Sequence, residues 1–176
     1  MVHSVELLFD TDTDARIRRV WDDLDAVGVR SQATVKSPSN RPHVTLVVAD
    51  RMTGDVDDAL VPVVARLPLD CRIGAPMLFG RGPFTLVRSL VPSAALLALH
   101  ADVHRMCLPF MTPEPLPHAA PGAWTAHVTL ARRVDAGQLP AVFEVAGVSS
   151  DIDASAVGLR HWDGNSRIEH RIDSQP

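Results

Sequence analysis

The sequence predicts an α+β fold that is built on antiparallel sheet. Amphipathic helices alternate with segments that read as neighbouring strands, and this mixture favours antiparallel pairing. The chain has 176 residues, of which 46% are hydrophobic and 22% are charged, so it can bury a substantial core. No linker divides the chain cleanly. We therefore expect residues 1–176 to form one domain.

The N-terminal segment predicts a strand followed by a helix. His3–Phe9 alternates loosely between apolar and polar residues, as in a strand. The N-cap candidates that follow are Asp10, Thr11, Asp12 and Thr13, and Gly28 is placed to end the helix. The apolar positions between them have the i, i+3, i+4, i+7 spacing of a buried helix face: Ile17, Val20, Trp21 and Leu24.

The middle of the chain predicts three strands and a less regular helix. Residues 43–49 are apolar and β-branched, which is typical of a strand. Residues 55–67 predict a helix that must hold Pro62 in its first turns or be kinked by it. Residues 71–79 and 84–91 predict two strands that are joined by a Gly-Arg-Gly-Pro turn.

The C-terminal half predicts a second strong helix, a long loop and three strands. The helix opens near Ser93, and its apolar stripe consists of Leu96, Leu99, Val103 and Met106. Residues 109–122 contain five prolines, a density at which we expect no regular element. The segment is either a long ordered loop or a lid, and as a lid it would bring His118 to a substrate. The final strands are predicted at 125–131, 155–162 and 167–172.

One tetrapeptide, His-Val-Thr-Leu, occurs twice. The copies begin at His43 and His127, and each opens a predicted strand after a loop rich in Pro or Gly. They are 127 − 43 = 84 residues apart, close to half the chain. This spacing suggests that the fold has two related halves.

The strand geometry of this motif predicts a pocket with two imidazoles and two hydroxyls. Residues i and i+2 of a strand share a face, so His43 lies beside Thr45, and His127 lies beside Thr129. The intervening Val and Leu residues can face a core. If the two strands meet, one neutral imidazole can accept a proton while the other, protonated, donates one. The hydroxyls can hydrogen-bond to phosphoryl oxygens. These are the groups that a phosphodiester reaction requires when it uses no metal.

Two other interpretations of the motif remain open. Thr is a good strand former, so a single His-x-Thr is most often structural. Two histidines can also bind a metal, but no Asp, Glu or Cys lies at a fixed short spacing beside either motif. We therefore predict no metal and no cofactor.

The two motifs resemble those of the two-histidine (2H) phosphoesterase superfamily, most closely its 2′-5′ RNA ligase and cyclic phosphodiesterase branch. The likeness extends from His3 to about Ile172 and includes Ala131-Arg132 after the second motif, a pair often found there in this branch. The resemblance implies a bilobal fold in which two antiparallel sheets line a central cleft and helices pack outside. It also implies hydrolysis of 2′,3′-cyclic phosphate ends of RNA or nucleotides to 2′-phosphates without a metal.

The family's paired residues carry over to the two motifs of this chain. His43 and His127 would be the general acid and base, in an order that the sequence does not fix, and Thr45 and Thr129 would bind phosphate oxygens. Arg132 is a candidate phosphate ligand, although on a regular strand it would point away from the face of Thr129. A surface salt bridge is its alternative role. Trp124 and Trp162 are candidates for stacking on a base, or for ordinary packing.

Charge and hydropathy limit the partners. The net charge is −4, and 16 of the 17 basic residues are arginine, so we expect no binding of long duplex nucleic acid. A nucleotide or an RNA end with a cyclic phosphate, held locally by arginine, is the expected partner. No apolar run reaches the roughly 18 residues of a membrane span, so we expect no membrane. The first residues lack the pattern of a secretory signal, and we expect a cytoplasmic monomer.

Three functional alternatives remain at this point. The same residues would serve the reverse chemistry, ATP-independent joining of RNA ends through a 2′-5′ linkage. The chain is otherwise a non-catalytic module that binds a nucleotide or RNA end. The last possibility is a structural protein in which both histidines are buried and hydrogen-bonded.

Overall fold

The computed structural model describes residues 2–112 and 116–173 of the chain. Within these residues the chain forms nine β-strands and four α-helices. The strands are β1 (His3–Phe9), β2 (His43–Ala49), β3 (Arg51–Met52), β4 (Leu69–Phe79), β5 (Phe84–Leu90), β6 (Met111–Thr112), β7 (His127–Val134), β8 (Ile152–Asp163) and β9 (Ile168–Ile172). The helices are α1 (Thr11–Ala26), α2 (Val56–Val64), α3 (Ala94–Cys107) and α4 (Leu139–Glu144).

The two long helices begin where the sequence predicts. The Asp10 carboxylate accepts a hydrogen bond from the Thr13 backbone N–H at 2.9 Å and so caps α1. The Ser93 hydroxyl accepts one from the Leu96 N–H at 3.2 Å and caps α3. The apolar stripe of α1 is buried as predicted. Pro62 lies inside α2, which ends at Val64, three residues before the predicted limit.

Seven of the described strands form one antiparallel sheet in the order β2-β1-β8-β4-β5-β7, and β9 pairs with β8. β8 is the link between the two halves of this sheet. Its residues 156–163 pair with β1, whereas its residues 152–156 pair with β4. The predicted α+β fold with antiparallel sheet is confirmed, and β8 joins the strands of the two lobes into a continuous sheet.

The sheet bends so that its two end strands come together. β2 and β7 stand at opposite ends of the strand order, yet the indole Nε1 of Trp124, just before β7, donates to the Thr45 carbonyl of β2 at 2.9 Å. Leu46 of β2 and Leu130 of β7 are both buried in the same hydrophobic cluster. The apolar face of each His-Val-Thr-Leu motif therefore packs into a shared core, as the alternation predicts.

Two local predictions were wrong. The proline-rich loop does contain regular structure: β6 pairs with β3, and residues 117–119 form a short 3₁₀ turn. Proline supplies the φ angle that such a turn needs, so a high proline content excludes long elements but not short ones. Residues 113–115 of the loop lie outside the described residues. The sequence analysis also missed α4, a helix of only six residues.

Within residues 2–112 and 116–173, no helix is long and apolar enough to cross a bilayer.

Candidate functional site

The two motif histidines are held in the same way. His43 Nδ1 lies 2.7 Å from the carbonyl of Arg41, and His127 Nδ1 lies 2.7 Å from the carbonyl of Thr125. A carbonyl only accepts hydrogen bonds, so each Nδ1 carries the hydrogen. In the neutral ring, Nε2 then holds the lone pair and is the atom that can accept a proton.

Both motif strands contain a β-bulge directly after the threonine. In β2 the pairing with β1 skips Leu46, and in β7 the pairing with β5 skips Leu130. Two successive residues are consequently buried in each strand, Leu46 with Val47 and Leu130 with Ala131. The residue after each buried pair returns to the face of the histidine and threonine. That residue is Val48 in β2 and Arg132 in β7.

The bulge in β7 explains where Arg132 points. On a regular strand its side chain would lie opposite to that of Thr129. The bulge changes the alternation, and Arg132 lines the same cavity as His127. Within the described residues Arg132 forms no ion pair, so the alternative role of a surface salt bridge is not observed.

Two tryptophans bind the backbone of the motif strands. Trp124 Nε1 donates to the carbonyl of Thr45 at 2.9 Å, and Trp21 Nε1 of α1 donates to the carbonyl of Thr129 at 3.1 Å. One face of the Trp124 ring stacks on His100, with ring centroids 3.9 Å apart and planes 2° apart. Each indole therefore satisfies a carbonyl of an end strand of the sheet, which has no further strand beside it.

A cavity of about 420 Å³ opens where β2 and β7 meet. Three of the predicted site residues, Thr45, His127 and Arg132, contribute to its wall. Its other lining residues come from β2, from the end of β4 and from the loop before β7: Leu46, Val48, Phe79, His118, Ala119, Ala123, Trp124 and Thr125. His43 and Thr129 are not in this lining. Both are half-buried, on the same strand faces as Thr45 and His127.

A buried carboxylate lies beside His43. Glu6 Oε1 of β1 is 3.7 Å from His43 Nε2, and the Glu6 side chain is only 5% exposed. Arg160 of β8 donates to Glu6 Oε2 at 2.7 Å, and the Ser4 hydroxyl donates to Oε1. Burial opposes ionisation of Glu6, but the charges of His43 and Arg160 together with these hydrogen bonds outweigh it and lower the pKa of Glu6. Glu6 is therefore an anion, and this negative charge lies 3.7 Å from the His43 ring.

The surroundings of His127 favour the neutral ring. Burial lowers its pKa, and the positive charges of His43, Arg132 and His118 lower it further, against the hydrogen bond to Thr125. Its ring meets the Phe79 ring edge-on at 88°, with centroids 4.9 Å apart. Neither a carboxylate nor a second polar side chain within hydrogen-bonding distance is recorded at this ring in the described residues.

The sequence analysis missed Glu6, Phe79 and Trp21 as parts of this site. Glu6 carried one signal in the sequence, because it is a charged residue in the middle of a predicted strand, and the structure buries all seven residues of that strand. A buried charge requires a partner, so its position predicts an ion pair or a functional neighbour. Phe79 and Trp21 carried no such signal, because an aromatic residue in a strand or on an apolar helix stripe is ordinary core.

No group of three or more His, Cys, Asp or Glu side chains that could hold a metal ion occurs in residues 2–112 and 116–173. His100 and His104 of α3, four residues apart, are both buried, with ring centroids 6.3 Å apart.

Solved structures share this fold at low sequence identity. TT0787 of Thermus thermophilus has a TM-score of 0.60 and 14% identity, and the match covers 98% of this chain and 95% of that one. E. coli LigT in its apo form has a TM-score of 0.54 and 12% identity, covering 97% and 92%. Usb1 of Kluyveromyces marxianus has a TM-score of 0.52 and 11% identity, covering 97% of each chain.

Sequence comparison identifies the family. No curated protein matches the chain closely enough to be counted as a relative. The model of the 2′-5′ RNA ligase superfamily matches residues 10–165, which include both His-Val-Thr-Leu motifs. The family likeness inferred from those motifs is thus confirmed. This chain belongs to the 2′-5′ RNA ligase superfamily.

Proposed function

We propose that the protein hydrolyses 2′,3′-cyclic phosphate ends of RNA or nucleotides, with His43 and His127 as an acid–base pair that requires no metal. One observation carries the proposal. Two imidazoles with the same Nδ1–H tautomer lie on end strands that the fold brings together, and one is beside an anion while the other is held neutral.

His127 acts as the general base. Its lowered pKa keeps Nε2 unprotonated near neutral pH, so this nitrogen can take a proton from an attacking water. The water oxygen forms a bond to phosphorus, and the bond from phosphorus to the 3′ oxygen breaks. The product is a 2′-phosphate with a free 3′ hydroxyl.

His43 acts as the general acid. In this proposal the protonated His43 ring, with Nε2 3.7 Å from the Glu6 carboxylate, gives its proton to the departing 3′ oxygen. The hydroxyls of Thr45 and Thr129 and the guanidinium of Arg132 bind the non-bridging phosphate oxygens, where negative charge accumulates in the transition state. After one turnover His127 is protonated and His43 is neutral, and exchange of protons with water restores both.

The comparisons support the nucleotide part of this proposal. The family is named for RNA chemistry, and E. coli LigT, which shares this fold, has a structure in complex with NADP+ at a TM-score of 0.52. The net charge of −4 favours a local site for one nucleotide or RNA end over a surface for long duplexes. We further propose that the protein acts as a cytoplasmic monomer.

Hydrolysis of a nucleoside 2′,3′-cyclic phosphate in excess EDTA tests the proposal. We expect wild-type turnover to survive chelation, and His43→Ala and His127→Ala each to lower kcat by about 10²–10⁴-fold. His170→Ala is the control, because its ring is 41% exposed on β9 and pairs with Asp57 rather than with the site. Loss of wild-type activity in EDTA, or retained activity in both site variants, contradicts the proposal. Binding without turnover would favour a recognition module.

The family match also favours a second candidate, the joining of RNA ends through a 2′-5′ linkage. The two histidines would exchange roles in that direction, because acid and base interchange in the reverse reaction. Incubation with a strand that ends in a 2′,3′-cyclic phosphate and a strand with a free 5′ hydroxyl distinguishes the two activities. A 2′-5′-linked product formed without ATP would establish joining, and a 2′-phosphate alone would establish hydrolysis.

A further inference from the structure

Three arginines converge on a second cavity, next to the site. Arg30, in the segment after α1, and Arg132 and Arg133 of β7 line a space of about 300 Å³, which we call the arginine pocket. The other lining residues include the polar Ser31 and Gln32, and no described Asp or Glu contributes to the wall. In a chain of net charge −4, this is a local concentration of positive charge.

These arginines have no anionic partner in the part of the chain that the structure describes. None of the three has a carboxylate oxygen within 4.0 Å there, whereas Arg18, Arg66, Arg72, Arg105 and Arg160 all do. Like charges that share one pocket repel each other, and a bound anion would remove that repulsion. Arginine is also suited to phosphate, because its planar fork can bond two phosphate oxygens at once.

The fold places the arginines here by a local irregularity. Phe84 pairs with Val134, and Leu86 pairs with Ala131. Between these two pairs β5 advances by two residues and β7 by three, so β7 contains one extra residue. The extra residue lies at Arg132–Arg133, and Arg133 has a φ of +59°, in the left-handed region that disfavours a residue with a Cβ. A bridge between Ser31 and Ala131 holds the segment of Arg30 against the same strand.

Arg132 connects this pocket to the candidate active site. Its side chain lines both the arginine pocket and the cavity that contains His127 and Thr45. A ligand that presents one phosphate to the histidines can therefore present a second anionic group to Arg30 and Arg133.

We propose that the arginine pocket binds a second phosphate of the substrate, the phosphodiester that joins the cyclic-phosphate nucleotide to the rest of an RNA chain. The inference rests on the proposed function and narrows its substrate to an oligoribonucleotide end. A nucleoside 2′,3′-cyclic phosphate without a 5′-phosphate would fill only the first cavity.

Three substrates and two variants test this inference. The substrates are a nucleoside 2′,3′-cyclic phosphate, the same compound with a 5′-phosphate, and a trinucleotide that ends in the cyclic phosphate. We expect Arg30→Gln and Arg133→Gln each to lower kcat/KM on the trinucleotide about fivefold to tenfold, as for a charge-assisted hydrogen bond to phosphate. We expect less than about twofold change on the nucleoside compound, which has no second phosphate to lose. Arg19→Gln, at an exposed position on α1, makes the same charge change elsewhere and is the control.

Salt dependence gives a second measurement. For the trinucleotide, log(kcat/KM) should fall with log[salt], and the Arg30→Gln/Arg133→Gln double variant should flatten that slope by about 0.7 for the one phosphate contact that is lost. A thermal melt of each variant establishes that it is folded.

Each outcome decides the inference. Equal kcat/KM on all three substrates, unaffected by the variants, overturns it while the proposed function stands. If the 5′-phosphate raises kcat/KM as much as the trinucleotide does, the pocket binds a terminal phosphate. That result overturns the assignment of the pocket to an RNA end. If no substrate is hydrolysed, the proposed function fails. Fluorescence anisotropy with a labelled trinucleotide 2′-phosphate then decides the pocket: weaker binding in both arginine variants supports it, and unchanged binding overturns it.

Discussion

β2 and β7 carry the same four residues, the same bulge and the same hydrogen bond from histidine Nδ1 to a carbonyl. The electrostatic environments of the two histidines nevertheless differ. His43 in β2 faces the buried anion of Glu6, whereas His127 in β7 has Arg132 and the Phe79 ring as neighbours. The identical motif fixes the geometry of each ring and its tautomer. The neighbouring strands place an anion beside one ring and an arginine and an aromatic ring beside the other, so the two copies of one motif lie in different electrostatic environments.

The position after the bulge is the sharpest difference between the two strands. Val48 occupies it in β2 and Arg132 occupies it in β7. Arg132→Val makes β7 resemble β2, and we expect kcat on a cyclic phosphate to fall by about 10²-fold, because a donor to the phosphoryl oxygens is lost. The acidic limb of the pH–rate profile should also move to higher pH, because Arg132 no longer lowers the pKa of His127. A kcat within twofold of wild type would exclude Arg132 from phosphate binding.

Removing the charge of Glu6 makes the surroundings of His43 more like those of His127. In Glu6→Gln we expect kcat to fall about tenfold, because the negative charge 3.7 Å from the proposed general acid is lost. Glu169→Gln is the matched control, because Glu169 also pairs with Arg160, at 3.0 Å, but forms no ion pair with His43 in the described residues. If both variants lose the same activity, Glu6 acts through Arg160 and the stability of the network. If Glu6→Gln alone loses activity, the charge of Glu6 acts on His43.

The wild-type pH profile tests the neutral state of His127. Its pKa lies below the ordinary value of 6.5, so the base form persists as the pH falls through that value. We expect the acidic limb of kcat/KM to lie below pH 6.5 and to disappear in His127→Ala. NMR titration of the ring protons measures the same quantity directly. An acidic limb above 6.5 would contradict the assignment of His127 as the base.

Glu6 should also make stability depend on pH. Its folded-state pKa is lowered from 4.5, so its contribution is complete above that pH and is lost as the pH falls through the folded value. Urea unfolding from pH 6 to pH 3 should show a steeper loss of unfolding free energy in wild type than in Glu6→Gln. At pH 6 the unfolding free energy of Glu6→Gln should be lower than that of wild type, because Arg160 loses one of its two carboxylate partners. Parallel curves would show that Glu6 does not titrate as an anion in the folded protein.

The smallest expected effect comes from removing the indole N–H groups of Trp124 and Trp21. Trp124→Phe and Trp21→Phe each remove the N–H that satisfies a motif carbonyl, and each should cost about 1 kcal/mol of unfolding free energy in urea. Trp124→Phe should also raise KM, because Trp124 joins the loop before β7 to β2, whereas Trp21 bonds β7 from the outer helix. Equal KM values would show that this joining does not shape the cavity.

Sequence periodicity located most elements, because each element buries one face at its own repeat. β1 and β2 have the predicted bounds, and the stripe of α1 is buried as expected. The prediction that His43 and His127 belong to one site remains an inference about function, although the end strands that carry them do meet. The bulges after Thr45 and Thr129 were not predictable from alternation alone, because Leu-Val and Leu-Ala fit a regular strand equally well.

By itself the sequence determined the family, the antiparallel α+β class, and the presence of an imidazole and a hydroxyl on one face of each motif strand. These depend on local spacing and on residue types that are readable along the chain. The tertiary structure alone decided that the opposite ends of the sheet meet, that Glu6 lies beside one histidine, and that Arg30 lies near Arg133. Such contacts join residues far apart in the chain, and they follow from how a bent sheet closes around its core, which no local pattern specifies.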